Sequence, residues 1–223
     1  RLASALGRVR DMDVALERAR RFATANAHDG LQPLLDRWGA RRSVACRRML
    51  RYLDSRSYQG FLHTFERMQA ELAARPATAP MRETVGYIAP RILYVHWEGV
   101  LAYGAVIEDA PIELLHALRI ECKRLRYGLE FFVELLPKQV VAAIPQVVSV
   151  QDYLGEMRDA AVAVGMIDAF LARRRDAGQL DDMVAYREAC RDDMWRHLRG
   201  FRQVWRRFSR AKTRHRFEEL IRH

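Results

Sequence analysis

Lysine is almost missing from this chain. Of the 38 Lys and Arg residues among its 223 amino acids, only Lys123, Lys138 and Lys212 are lysines, which leaves 35 arginines. Glycine (12) and proline (7) are also sparse. Few points therefore force a turn, and with apolar residues recurring at helical spacing the chain should be mostly helix. The three cysteines, Cys46, Cys122 and Cys190, stand apart with no Cys-x-x-Cys spacing. That excludes a cysteine-built metal or redox centre and points to reduced thiols of a cytoplasmic protein. No run is long and apolar enough for a membrane span, and no basic-then-apolar leader is visible, so neither a membrane partner nor secretion is expected. Catalytic signatures are lacking too: no Gly-x-Ser-x-Gly, no phosphate-binding glycine loop ending in Lys-Ser/Thr, no His-Glu-x-x-His. Nor do carboxylates cluster as a metal-dependent phosphohydrolase would require. The expectation is a binder that needs no cofactor, not an enzyme.

What the chain does have is apolar mass and positive charge. With 50% hydrophobic residues it can bury one large core or two small ones. Its net charge is +10, spread evenly, with +5 on residues 1–110 and +5 on residues 111–223. Neither half is a basic tail on a neutral domain. A GC-rich genome would favour arginine over lysine, and selection for an anionic partner would do the same; both causes can act together. Arginine offers a planar fork of donors matched to phosphate oxygens, and an excess of this size suits polyphosphate, nucleic acid or an acidic protein surface.

The most informative stretch runs from His116 to Glu130. On a helix turning about 100° per residue, His116, Arg119, Lys123, Arg126, Tyr127 and Glu130 fall within an arc of about 100°. Leu118, Cys122, Leu125, Leu129 and Leu136 occupy the neighbouring arc. One helix thus carries a core stripe and, beside it, a ladder of donors about 15 Å long from His116 to Arg126. Arg124 lies just off the ladder. An ordinary solvated face could also place charges this way, with Glu130 and Glu134 pairing Arg126 and its neighbours to little effect. The order of residue types favours an extended polyanion, because the acids gather mostly at one end.

The string His116-x-x-Arg119-Ile120-x-x-Lys123-Arg124-Leu125-Arg126-Tyr127-x-x-Glu130 resembles the signature helix of CHAD domains, the conserved histidine α-helical domains. The resemblance continues through Val150-Gln151-Asp152-Tyr153-Leu154-Gly155-Glu156-Met157-Arg158-Asp159 and Leu6-Gly7-Arg8-Val9-Arg10-Asp11-Met12-Asp13-Val14, and spans essentially the whole chain. It implies an all-α fold of two related helical bundles with a pseudo-two-fold duplication, and binding of inorganic polyphosphate through a basic surface. By the same resemblance, His116, Arg119, Lys123, Arg124, Arg126 and Tyr127 would contact the polymer, with Arg10 and Arg158 as further contacts. The domain would act as an adaptor, in the cytoplasm or on polyphosphate granules.

An internal repeat agrees with a duplication. Leu6/Leu154, Gly7/Gly155, Arg10/Arg158, Asp11/Asp159, Val14/Val162, Ala15/Ala163 and Phe22/Phe170 are identical at an offset of 148. Applied to His116, that offset points to a position before Arg1. The first half is therefore expected to lack its own signature helix in this chain. Residues 1–110 form the N-terminal half of the duplication and 111–223 the C-terminal half. Caps and breakers place helices near 2–27, 31–54, 57–75, 81–107, 111–136, 139–175 and 179–209. A turn or linker is expected at 74–80, Glu108-Asp109-Ala110-Pro111 separates the halves, and Pro111 is placed to start the signature helix. Pro90 and Pro145 kink or divide their helices.

Other constellations carry less. His116 as a metal ligand would sit beside Arg119 and Lys123, where a second cation is disfavoured, and hydrogen bonding to phosphate suits it better. His63, His96, His197, His215 and His223 are scattered. Asp11 and Asp159 are expected to brace basic side chains, and Gly7 and Gly155 to allow close helix packing. Asp11 with Asp13 is a weak metal pair beside Arg10. The Val204–Arg216 stretch interleaves aromatics with basic residues, as a nucleic-acid binder does, although Trp205 and Phe208 at i, i+3 suit a core. Nucleic acid is thus the competing partner, and an accessory role beside a phosphate-processing enzyme such as a triphosphate tunnel hydrolase is a further alternative. Oligomeric state leaves no mark in the sequence.

Overall fold

The computed structural model describes residues 1–26, 29–75, 84–107, 110–173 and 180–220. Helix dominates and, among the described residues, there is no strand. The helices are α1 (Leu2–Asn26), α2 (Gln32–Leu53), α3 (Arg56–Ala73), α4 (Val85–Ala102), α5 (Ile112–Phe131), α6 (Lys138–Val141), α7 (Ile144–Leu171), α8 (Asp181–Phe208) and α9 (Ala211–Glu218). Among the described residues no helix is long and apolar enough to cross a membrane.

Local chemistry explains most boundaries. Ser55 starts α3, its hydroxyl accepting the Tyr58 N–H at 3.3 Å. Pro111 lies just before α5 with φ −66°, where a missing N–H costs nothing. α8 opens on Asp181 and Asp182 and closes on Arg206 and Arg207, each pair matching the partial charge of its helix end. Pro145 divides the segment expected over 139–175: α6 stops at Val141, and Pro145 falls in the first turn of α7, where proline is tolerated. Pro90 lies within α4, which continues past it to Ala102. The signature helix ends at Phe131 and a short 3₁₀ turn follows over Val133–Leu135. Most of the expected linker at 74–80, and Glu108 and Asp109, lie outside the described residues.

Contacts divide the chain into two compact units, one of Arg1–Ala77 with Asp159–Asp192 and one of Thr78–Arg158 with Asp193–His223. Each unit joins two separate stretches, so compactness does not follow the division at residue 110. The halves rest on the sequence repeat and the units on contact; the long helices α7 and α8 each contribute residues to both units.

The first unit packs α1 against α2, with α3 following along α2. Its core holds Leu16, Leu31, Leu34, Trp38, Ile167 and Tyr186. Gly30 donates its N–H to Asp182 Oδ2 at 2.8 Å, and a Cβ on Gly30 would lie 2.6 Å from the same oxygen. Glycine is needed there for the close approach.

The second unit contains the signature helix. Leu115, Leu118, Cys122, Leu125 and Leu129 of α5 are buried, which is the apolar stripe expected from their spacing. They meet Leu93, Trp97 and Val100 of α4 and Val147, Val150, Leu154 and Met157 of α7. A Cβ at Gly128 would lie 2.6 Å from Leu93 Cδ2, so α4 and α5 approach too closely there for any larger residue. Phe217 stacks on Trp97 with centroids 3.9 Å apart, and Phe208 meets the same ring edge-on. Burial pushes the Cys122 thiol up to about 12, with the Glu121 carboxylate adding to the shift, so it is a protonated core group.

Candidate polyanion-binding site

Within the second unit α5 presents its ladder toward solvent and toward one face of α7. His116, Arg119, Lys123 and Arg126 are half-buried, while Arg124 and Tyr127 are exposed. On α7, Gln151, Gly155 and Arg158 share a face at i, i+4 and i+7. The Arg119 guanidinium lies over Gly155: a Cβ there would be 3.6 Å from Nε and 3.7 Å from Nη2. Both are ordinary van der Waals distances, so the Arg119 side chain packs over this position without requiring glycine there. Tighter approaches fall at Gly128, against Leu93, and at Gly200, against the Tyr153 hydroxyl, whereas Gly7 faces open space with nothing within 4 Å of a Cβ, so the close-packing role expected of Gly7 is not found.

Two buried nitrogens at this junction lack partners. Among the described residues, His116 Nδ1 and Arg119 Nε are buried without a hydrogen-bond partner. Leaving a buried polar group unpaired costs about 1–3 kcal/mol, more when it is charged. The His116 imidazole is held below its ordinary value of 6.5, first by burial, then by the positive charges of Arg158 and Arg119. His116, Arg119 and Arg158 thus form a cluster across α5 and α7 that repels a further cation and would welcome an anion. Arg158 also has a further interacting neighbour.

The rest of the ladder is graded by its counter-charges. Lys123 has no carboxylate partner among the described residues, and its Nζ lies 5.7 Å from the Tyr127 ring centre. Arg126 is braced: its Nε donates to Glu130 Oε1 at 2.7 Å, its Nη1 lies 3.9 Å from Asp152 Oδ1, and its Cζ is 5.9 Å from the Tyr127 ring. The Glu130 hydrogen bond, outweighing burial, pushes the Arg126 guanidinium above its ordinary value. Arg124, exposed, donates to Glu121 Oε1 at 2.6 Å. A phosphate would have to displace carboxylates from Arg126 and Arg124, and none from Arg119 or Lys123.

Arg10 is exposed on α1 in the first unit, so the seven other expected contacts lie in one unit and Arg10 in the other. Asp11 and Asp159 both have interacting neighbours, and Asp13 pairs with Arg42. Among the described residues no three metal-ligating side chains converge. Trp205 and Phe208 are core residues, leaving the arginines of that stretch without an aromatic platform built from them. Two residues of the site were not singled out from sequence. Asp152 restrains Arg126, and Gln151 is a buried polar side chain whose Oε1 has no partner among the described residues. The i, i+4, i+7 spacing with Gly155 and Arg158 was the available signal for Gln151.

A cavity of about 450 Å³ in this unit, lined by Ile107, Leu115, Trp195 and Arg202, includes no ladder residue. Taken together, these observations define an all-helical protein whose signature helix carries a cluster of basic side chains beside α7. The chain belongs to the CHAD family: the CHAD domain model matches residues 1–168. A comparison with curated proteins gives no match.

Proposed function

We propose that this chain binds inorganic polyphosphate without transforming it, along the α5 ladder and the facing residues of α7. The observation that carries the proposal is the pair of buried nitrogens, His116 Nδ1 and Arg119 Nε, which have no partner among the described residues and lie beside Arg158. An oxyanion offsets the mutual repulsion of the cations and accepts from Arg119, and from His116 once the ring is protonated. Lys123 supplies a second positive charge one turn along, and Tyr127 offers a hydroxyl next to it. Successive phosphates of a chain can then engage successive rungs, while Arg126 and Arg124 join by exchanging carboxylate for phosphate. Charge neutralisation without base readout makes affinity salt-dependent and indifferent to sequence. The domain then serves as an adaptor that brings itself, or a partner enzyme, to polyphosphate in the cytoplasm. The two sequence halves are proposed to derive from duplication, with Arg10 as the counterpart of Arg158.

Calorimetric titration of long-chain polyphosphate, with single-stranded DNA of equal charge as competitor at near-physiological salt, tests this function. Binding that resists DNA supports it. Displacement by DNA at equal charge would instead identify a general nucleic-acid binder.

A further inference from the structure

The first unit holds a second basic surface with different chemistry. A cavity of about 530 Å³ lies between α1, α2 and the end of α7. Arg37, Arg41 and Arg48 of α2 and Arg8 of α1 line it, and none of the four has a carboxylate partner among the described residues. Met12, Val44, Val162 and Met166 give it an apolar floor, and Asp11, which has an interacting neighbour of its own, is the one carboxylate in its lining against the four arginines. On α2 the sequence alternates the two roles along one face: Arg37, Arg41, Val44 and Arg48 stand at i, i+4, i+7 and i+11. A neighbouring cavity of about 440 Å³ shares Arg8, Ala45 and Arg48, and a smaller one of about 140 Å³ shares Arg37 and Arg41. The three form one trough along about 22 Å of α2, from Arg37 to Tyr52.

Arginine alone would suit any anion. The floor narrows the choice. A bare phosphate polymer has no apolar part, so covering the methionines and valines would bring it nothing. A molecule with an anionic head and an alkyl body uses both features, with the head on the arginine forks and the body on the floor. Methionine adapts its shape to such a body better than branched residues do. The main cavity's volume also falls in the usual range for small-molecule sites.

We propose that this trough is a binding site for a monomeric single-chain anionic amphiphile, an alkyl phosphate or alkyl carboxylate, separate from the α5 ladder. Its test uses the whole chain and dodecyl phosphate below its micelle concentration, followed by calorimetry and by the methyl resonances of ¹³C-labelled methionine. Saturable binding with shifts at Met12 and Met166 is the expected result. Arg41→Glu and Val44→Glu, both at exposed positions that the fold tolerates, should each weaken it about tenfold or more. The methionine shifts of the unaltered chain give a readout that does not depend on either variant folding. Four results would overturn the proposal: shifts centred on the core residues Met157 and Met183, equal binding of uncharged dodecyl maltoside, affinity unchanged in both variants, or binding to phosphatidylglycerol vesicles but not to the monomer. Polyphosphate shifting Met12 and Met166 and displacing dodecyl phosphate would likewise overturn it, by making the trough a second polymer track.

Discussion

The α5 ladder and the α1/α2 trough both set arginines on helix faces, yet the surroundings of those arginines differ. On α5 the apolar residues turn away into the core, and the donors meet Gly155 and Arg158 of α7. In the trough Val44 stays exposed among the arginines of α2, beside the half-buried Met12, Val162 and Met166. The carboxylates differ as well. Glu121, Glu130 and Asp152 hold the outer cations of the ladder, whereas His116 Nδ1 and Arg119 Nε are buried and, among the described residues, unpartnered. Arginine content alone does not mark a site, since the chain has 35 of them. Desolvation and the distribution of counter-charge separate a committed donor from a decorative one.

The sharpest way to break this comparison is to remove the uncommitted cations. Arg119→Ala with Lys123→Ala should lower polyphosphate affinity about 100-fold near physiological salt and reduce the salt slope by nearly two. Titrations at several salt concentrations check both, and dodecyl phosphate binding in the trough should not change. Next in size is the pH response. Because the free protein holds His116 below 6.5, the imidazole is neutral at neutral pH, and a bound polyanion draws a proton onto it. Affinity should rise up to about tenfold as pH falls from about 8 to 6, and His116→Gln should flatten that dependence. In the unliganded protein the sign is reversed. The His116 contribution to stability is present above 6.5 and is lost as pH falls through that value toward the lower folded pKa. Denaturant titrations across this window should show a slope that His116→Gln removes.

Smaller effects sharpen the grading along the ladder. Glu130→Gln frees Arg126 from its closer brace and should strengthen polyphosphate binding about threefold, whereas Arg126→Ala should weaken it by a similar factor. Arg124→Ala, at an exposed and paired position, should stay within about twofold of the parent. A uniform loss for each of these cations would show that the carboxylates do not grade the ladder.

Much of this was legible in the sequence, for definite reasons. Helical periodicity alone separated Leu118, Cys122, Leu125 and Leu129 from the donor arc, because burial on one helix depends on spacing. The i, i+4 spacing also made Glu130 a visible partner for Arg126. Asp152 was not visible as its second brace, since only the packing of α7 against α5 brings them together. The same holds for the environment of Gly155, and for the open space at its repeat partner Gly7. The trough went unread because codon bias offered a sufficient cause for its arginines. Only the shared face of Arg37, Arg41, Val44 and Arg48 could have drawn notice to it. The interleaving of two units along α7 and α8 leaves no local mark, because it is settled by contacts between residues distant in sequence.

The most direct test of the central claim is titration of long-chain polyphosphate into the chain and into its Arg119→Ala/Lys123→Ala variant, at near-physiological salt with equal-charge single-stranded DNA present. The account predicts tight binding that resists the DNA and collapses in the variant. Weak binding that the variant leaves unchanged would contradict it, and the ladder would then be an ordinary solvated helix face.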